Sequence, residues 1–353
     1  MEISELLKAA VDMGASDLHI AVGKPPVFRI DGVLKSVSDD LILTPAETKR
    51  LIYSILNDFQ KQKFEEQKEL DFSLSIARVS RFRVNIHFQR GSVAAAFRVI
   101  SSIIKNFEEL SLPVQVMEQL SRRPSGIVLI TGPTGSGKST TLAAMVDVIN
   151  EERECHLITV EDPIEYLHPH KKCLIEQREV NEDTYSFANA LKFILRQDPD
   201  VILIGELRDL ETISAALTAA ETGHLVLTTL HTNDVVQTID RIIDVFPSHQ
   251  QAQIRIQLAS VVQGIICQKL LPSLKGKGRE IALEIMIGTD AIRSMIREGK
   301  THQIYSLIEA GGQYMMQTMD RALVNLYKAR RINKEVVLLN AKKTNEVERY
   351  LVS

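Results

Sequence analysis

The chain has 353 residues, of which 44% are hydrophobic and 25% are charged, and these proportions exclude a disordered or fibrous protein. Its 42 basic and 45 acidic residues give a net charge of −3, so overall charge provides no general attraction for nucleic acid. Cys155, Cys173 and Cys267 are too widely spaced for a disulfide framework or a four-cysteine zinc site, and they fit a reducing cytosol. No apolar run approaches the roughly 20 residues that span a membrane. We therefore expect a cytoplasmic protein, with two domains at roughly 100–200 residues each.

Residues 1–100 are predicted to form a small mixed domain of helices and strands. Apolar residues three or four positions apart predict an N-terminal amphipathic helix that ends near Gly14. The strand-like segments LHIAV, PVFRID, SRFRVNIHFQ and AAAFRVI follow, with a turn at Asp31-Gly32 and a polar helical stretch at about 45–68. SRFRVNIHFQ alternates apolar and polar residues, as a half-buried strand does. Residues 101–112 are interpreted as a linker.

From residue 113 onward, apolar strands alternate with helices, which predicts a parallel sheet covered on both faces. The predicted order is IVLIT, a helix after Lys138, HLITV, a helix at about 185–196, VILIG, a helix at 210–222 and HLVLTTL. After about Asn233 the pattern predicts mainly helices, including the segment around Cys267. The fold class expected for this domain is therefore α/β.

The strongest functional signal is GPTGSGKS, which matches the phosphate-binding pattern GxxxxGK[ST] between a predicted strand and a predicted helix. Glycines in this loop allow a tight turn in which backbone N–H groups point at phosphate oxygens. The lysine is expected to bind the β- and γ-phosphates of ATP, and the serine that follows it to ligate Mg²⁺. The predicted site comprises Gly132, Pro133, Thr134, Gly135, Ser136, Gly137, Lys138, Ser139 and Thr140.

Acidic residues follow the predicted strands HLITV and VILIG, at the edge of the sheet where open α/β folds bind ligands. One carboxylate is needed beside Mg²⁺ and another to position the attacking water. We assign Glu206 to the metal side and Glu165 to the water side, and the reverse assignment stays open. Glu161, Asp162 and Asp209 are interpreted equally well as capping or solvated residues.

His224 and His231 flank the predicted strand HLVLTTL. A histidine at such a position is more often a structural hydrogen-bonding group than a catalyst. Two of them, with three threonines close by, also fit a sensor of the γ-phosphate, so both interpretations stay open. We include His231 among the catalytic candidates and His224 among the nucleotide-binding ones.

These blocks together resemble the secretion ATPases of type II secretion and type IV pilus systems over essentially the whole chain. The corresponding segments are GPTGSGKSTT (the Walker A box), Glu161–Glu165 (within the aspartate box), GELRD at 205–209 (the Walker B box) and His224–His231 (the histidine box). Leu207 stands where this family usually has Met, which is an apolar replacement. SDLHI at 16–20 and SRFRVN at 80–85 are similar to the first domain of the family.

Three features favour the pilus retraction ATPases within this family. The chain is short, it lacks a paired-CxxC zinc insertion, and AIRSMIRE at 291–298 is similar to their AIRNLIRE motif. From the residues alone, AIRSMIRE is an amphipathic helix capped by Thr289 or Asp290. Its apolar face is then core packing, and Arg293 and Arg297 lie on a solvated face.

The resemblance implies a homohexamer with a PAS-like N-terminal domain (1–100) and a RecA-like ATPase domain (113–353). It would hydrolyse ATP with Mg²⁺ and retract pili while docked on an inner-membrane platform protein, and a paralogous retraction ATPase is a further candidate partner. Arg81, Arg83 and Arg98 of the first domain would then reach the phosphates, within or between subunits. Otherwise, they solvate the outer face of a strand.

Other functions stay open as alternatives. A pilus extension or type II secretion ATPase shares the same chemistry and is the first of them. A nucleic-acid translocase is disfavoured because only 5% of residues are aromatic, Trp is absent and no basic-aromatic platform is apparent, so we expect no nucleic-acid partner. The intact Lys138, Ser139, Glu165 and Glu206 argue against a non-catalytic scaffold.

Overall fold

A computed structural model describes residues 2–37, 41–77, 79–101, 103–276 and 278–351. The chain divides into two compact units, Met1–Ile103 with Pro163–Leu167, and Ile104–Asp162 with His168–Ser353. The linker predicted at 101–112, of which Ser102 lies outside the described residues, is divided between them, because Phe107 and Leu112 are buried in the core of the second unit.

The first unit is an antiparallel sheet with helices. Its strands are β1 (Asp17–Ile20), β2 (Val27–Ile30), β3 (Val33–Ser36), β4 (Glu69–Ile76), β5 (Ser80–Gln89) and β6 (Ser92–Ile100), and its helices are α1 (Ile3–Asp12), α2 (Pro45–Tyr53) and α3 (Asp58–Gln67). As far as its residues are described, this sheet has the order β3-β2-β1-β6-β5-β4, with antiparallel neighbours throughout. Its core is built around Phe28, Phe64, Phe82 and Phe97.

Local sequence explains most of this unit. In β5 the apolar residues Phe82, Val84 and Ile86 are buried, as their alternation predicts. Asp31 and Gly32 both have positive φ, at 51° and 81°, which gives the tight turn between β2 and β3.

Two predictions for this unit need correction. The helical stretch predicted at 45–68 is interrupted, because Thr44 caps α2 and Asn57 starts a new capped helix, α3. Strand β4 follows directly and was not predicted, since its sequence ELDFSLSI continues the polar composition of the helix before it.

The second unit carries the larger sheet. Its strands are β7 (Gly126–Thr131), β8 (His156–Glu161), β9 (Leu174–Glu179), β10 (Val201–Ile204), β11 (Leu225–Leu230), β12 (Val262–Pro272) and β13 (Arg279–Ile287). Within 103–276 and 278–351 these form one sheet in the order β13-β12-β7-β11-β10-β8-β9. Only the β12–β13 pair of that sheet is antiparallel. Every residue of β7, β10 and β11 is buried, so both faces of the sheet are covered, as predicted.

The helices of this unit follow the strands in chain order. They are α4 (Val114–Ser121), α5 (Lys138–Glu152), α6 (Phe187–Ile194), α7 (Leu210–Glu221), α8 (Val235–Asp244), α9 (Ser248–Val261), α10 (Asp290–Arg297), α11 (Ile304–Ala310), α12 (Met319–Lys328), α13 (Lys334–Asn340) and α14 (Thr344–Leu351). Within the described ranges of the chain, no helix has the length and apolar character needed to cross a bilayer.

The prediction that the chain after Asn233 is mainly helical is wrong for two segments. Residues 262–272 and 279–287 are strands β12 and β13, and they extend the sheet beyond β7. Cys267 therefore lies in a strand and not in a helix, and its sulfur accepts a hydrogen bond from the Thr131 hydroxyl at 2.8 Å. A continuous apolar run such as VQGIICQKLL has no period that separates a buried strand from a buried helix.

Helix α10 contains AIRSMIRE and is capped by Thr289. Ile292 and Ile296 are fully buried, as its apolar face predicts. Arg293 does not lie on a solvated face as predicted. Its guanidinium donates to the carbonyl of Gly288 at 2.9 Å and to that of Ser260, and so ties α10 to the end of α9.

Candidate active site

The loop that joins β7 to α5 has the backbone shape that its glycines predict. Gly135 and Gly137 have φ of 77° and 89°, in the left-handed region that glycine adopts without strain. A Cβ atom on Gly132 would lie 2.3 Å from the carbonyl oxygen of Gln268, so only glycine allows β12 to approach this closely. The loop ends at the N-terminus of α5, where unpaired N–H groups and the helix dipole favour an anion.

Polar groups in this loop fit a phosphate ligand. The Lys138 ammonium donates to the carbonyl oxygens of Gly132 at 2.9 Å and of Pro133 at 3.1 Å, which holds it against the loop. The Ser136 hydroxyl is buried and has no hydrogen-bond partner within the described part of the chain. Buried hydroxyls are normally paired, so this one is consistent with a ligand in the loop. Ser139 and Thr140, in the first turn of α5, are half-buried.

Three neighbouring strands bring the Walker A, Walker B and histidine boxes together. Because β7 pairs with β11 and β11 with β10, their carboxyl ends meet at one edge of the sheet. His231, just after β11, lies between the other two boxes. Its Nε2 is 3.4 Å from Oε1 of Glu206, and its Nδ1 is 3.5 Å from Oγ1 of Thr134. The imidazole therefore connects the Walker B carboxylate to the phosphate-binding loop.

Glu206 is held in its ionised form. Burial by itself would raise the pKa of this carboxyl, but the hydrogen bond from Arg208 and the nearby His231 outweigh it, so the pKa lies below its usual value. The Arg208 guanidinium is 2.8 Å from Oε2 of Glu206. An ionised carboxylate at this position is the ligand type that Mg²⁺ prefers, directly or through water.

The other acidic residues near this edge have structural contacts. Asp209 caps α7, because its carboxylate accepts from the Thr212 amide at 2.8 Å and the Thr212 hydroxyl at 2.9 Å. Glu161 accepts from the Thr159 hydroxyl at 2.7 Å and from the Gln177 amide at 3.3 Å. These contacts favour the capping interpretation for Asp209 and a local structural one for Glu161.

The structure does not bring His224 to the loop. His224 precedes β11, at the amino end of a strand whose carboxyl end meets the loop, and six strand residues span roughly 20 Å. Its Nδ1 is 2.9 Å from the Ala219 carbonyl oxygen, which closes the turn after α7. The structural interpretation is therefore the better one for His224 in its own subunit.

The remaining candidates lie in the first unit. Glu165 is exposed and belongs to the segment Pro163–Leu167. Arg83 and Arg98 are exposed and directly opposite each other on β5 and β6, and Arg81 is half-buried on β5. Nε of Arg98 donates to the Asp17 carboxylate at 3.0 Å.

Sequence reasoning missed the contacts that β12 and β13 make with the loop. Gln268 donates to the Ser136 carbonyl at 2.7 Å, and Arg279 donates to the Gly135 carbonyl at 3.3 Å. A cavity of about 400 Å³ also opens here, lined by the loop with Asn233, Lys269, Leu270, Leu271 and Asn340. No sequence signal could reveal these residues, because their segment has the pattern of a helix.

The close approach at Gly132 leads to a first prediction. In Gly132→Ala the new methyl group would overlap the Gln268 carbonyl oxygen, so the loop must shift. We expect the Kd for ADP to rise at least about tenfold, or about 1.4 kcal/mol, in a titration with a fluorescent ADP analogue. Gly223→Ala is the control, because Gly223 also has positive φ, at 104°, but a Cβ there would meet nothing within 4 Å. Equal losses of affinity in both variants would show that backbone strain, and not the contact with β12, is the cause.

Comparison with known proteins agrees with this geometry. The family described as "Type II/IV secretion system protein" matches residues 1–349. The chain belongs to this family. It is 50% identical over 338 residues to the type IV pilus retraction ATPase PilT of Pseudomonas aeruginosa, which covers 95% of this chain and 96% of that protein. A twitching motility protein of Neisseria gonorrhoeae is 46% identical over 303 residues, covering 86% of this chain and 80% of that protein.

A solved structure of a family member gives the same result. The crystal structure of the pilus retraction motor PilT with bound ADP matches with a TM-score of 0.90 and 50% identity, over 99% of both chains. The RecA-like ATPase fold with an N-terminal domain is thereby confirmed, as is the predicted resemblance to the secretion ATPases. This member of the secretion ATPase family is therefore an ATPase that binds its nucleotide in a P-loop domain.

Proposed function

We propose that the chain is the ATP-driven motor of type IV pilus retraction, acting as a homohexamer in the cytoplasm against the inner-membrane platform protein. The observation that carries this is the 50% identity to a retraction ATPase across 95% of the chain. The geometry of the site supports it, because the Walker A, Walker B and histidine boxes converge at one sheet edge.

The side chains divide the chemistry of ATP hydrolysis among them. Lys138 binds the β- and γ-phosphates, and Ser139 and Glu206 hold Mg²⁺, in part through water. Bound Mg²⁺ would neutralise charge that develops on the phosphate oxygens. Glu165 positions the attacking water, and His231, between Glu206 and Thr134, senses whether the γ-phosphate is present.

The arginines of the first unit are proposed to add positive charge around the phosphates, within or between subunits. Arg83 and Arg98 lie directly opposite each other on adjacent strands, an arrangement that is destabilising for like charges. Asp17 compensates Arg98 in part. An anion close to this face would relieve the rest, and an arginine at the phosphates can raise phosphoryl-transfer rates by about 10³–10⁵.

Genetics in the host of the protein tests the direction of the motor. We expect deletion of the gene to leave abundant surface pili that do not retract, and wild-type protein to restore twitching. Complementation with Lys138→Ala should fail, because a motor that does not hydrolyse ATP cannot retract. Lys192→Ala is the matched control, since Lys192 is an exposed lysine on α6 and should restore motility fully.

Other outcomes of this experiment favour the alternatives. Loss of surface pili in the deletion strain would indicate an extension motor, and loss of secreted proteins a type II secretion ATPase. If neither the number of pili nor their motion changes, retraction by this chain alone is contradicted, and deletion of a paralogous ATPase as well would identify a shared role. ATPase activity stimulated by single-stranded DNA would instead indicate a translocase.

A further inference from the structure

Gln268 on β12 contacts the phosphate-binding loop and helix α5 at the same time. Its side chain is fully buried. Nε2 donates to the Ser136 carbonyl oxygen at 2.7 Å, and Oε1 accepts from the Thr141 hydroxyl at 3.0 Å. One amide therefore connects the loop to the first turns of the helix that follows it.

The orientation of this amide is determined by its partners. A backbone carbonyl can only accept a hydrogen bond, so the NH₂ end of Gln268 must face Ser136. The carbonyl end then faces Thr141, whose hydroxyl donates to it. With both ends satisfied in a dry region, the side chain has a single favourable orientation.

This contact determines which way one peptide of the loop faces. A trans peptide is planar, and its C=O and N–H point in opposite directions. Because the Ser136 carbonyl is held towards Gln268, the N–H of Gly137 in the same peptide is turned away from β12. Gly137 immediately precedes α5, where N–H groups are available to an anion.

We propose that Gln268 is a positioning residue that holds the Ser136–Gly137 peptide so that the Gly137 N–H faces the nucleotide phosphates. The proposal rests on the proposed function only in taking a nucleotide as the ligand of the loop. Gln268 itself acts through Ser136 and touches no reacting atom.

The chain contains a matched control at the other end of the same strand. Gln263, half-buried on β12, donates through Nε2 to the Ser125 carbonyl at 3.0 Å, just before β7 begins. It makes the same kind of amide-to-backbone bond as Gln268, but at the edge of the sheet away from the loop. Replacing either glutamine with methionine removes this bond with little change in volume.

The test compares Gln268→Met with Gln263→Met in the purified full-length protein. We expect the Kd for a fluorescent ADP analogue to rise about tenfold in Gln268→Met and less than about twofold in Gln263→Met. KM for ATP should rise with Kd, while kcat changes less. The thermal unfolding temperature without nucleotide should fall by similar amounts in both. A wild-type Kd in Gln268→Met, or an equal loss in Gln263→Met, would overturn the proposal.

Gln268→Glu provides a second measurement that does not depend on how well the methionine variant folds. An ionised carboxylate cannot donate to the Ser136 carbonyl, but a protonated carboxyl can, and burial raises the pKa of such a group. ADP affinity relative to wild type should therefore recover between about pH 8 and about pH 6. A ratio of affinities that does not change with pH would contradict the role of the donated hydrogen bond.

The two proposals can fail separately. Binding of the ADP analogue requires no pilus, so wild-type protein that binds it without driving retraction would overturn the proposed function. The role of Gln268 would still be decided by the Kd values of its own variants.

Discussion

Replacing Lys138 with alanine is expected to reduce ATP hydrolysis by about 10²–10³-fold, the usual effect of removing one group that stabilises transition-state charge. The ammonium is almost completely buried against the loop carbonyls of Gly132 and Pro133. The phosphate-binding loop ends at this residue, so its charge lies where negative charge develops on the phosphates during transfer. Release of inorganic phosphate by the purified protein is the measurement.

The control for this variant is Lys192→Ala, which removes an exposed lysine from the same unit and should hydrolyse ATP at the wild-type rate. Circular dichroism of both variants should match that of wild type. If Lys138→Ala kept more than about a tenth of the activity, the lysine would not be the phosphate-binding group that the transition-state argument requires.

Glu206→Gln and Glu165→Gln are expected to fail at different steps. Glutamine has nearly the shape of glutamate but no charge, so Glu206→Gln should weaken the binding of Mg-ATP and lower turnover by about 10²-fold or more. It also removes the charge that Arg208 and His231 face. Glu165→Gln should bind Mg-ATP normally and lose turnover, because it would no longer position the water.

Titration of Mg²⁺ at constant ATP, followed by measurement of phosphate release, separates these roles. The reverse pattern would exchange the roles of Glu206 and Glu165. Normal hydrolysis in both variants would show that neither carboxylate has the role proposed for it. Glu211→Gln is the control, since Glu211 is exposed in the first turn of α7 and should bind and hydrolyse Mg-ATP like wild type.

Features encoded in short, contiguous stretches were predictable from the sequence. GPTGSGKS specifies its own loop, because its glycines permit backbone angles that other residues avoid. The buried strands β7, β10 and β11 follow from uninterrupted apolar runs between helices. The carboxyl end of a parallel strand is a ligand-binding edge, so the sequence alone places Glu206 and His231 near the loop.

Other features required the tertiary structure. Strands β12 and β13 could not be told from helices by periodicity, because their apolar runs lack a distinctive repeat. The contact of Gln268 with Ser136 joins residues 132 positions apart, and no local pattern encodes such a pairing. Similarly, only the positions of strand ends show that His231 lies at the loop and His224 at the opposite edge of the sheet.

The sequence by itself therefore determined the chemistry of this protein, since phosphate binding depends on a local run of glycines followed by Lys138 and Ser139. The tertiary structure decided which side chains surround that run. A parallel sheet brings together residues far apart in the chain, and their partners are set by strand order and register, which depend on packing across the whole unit.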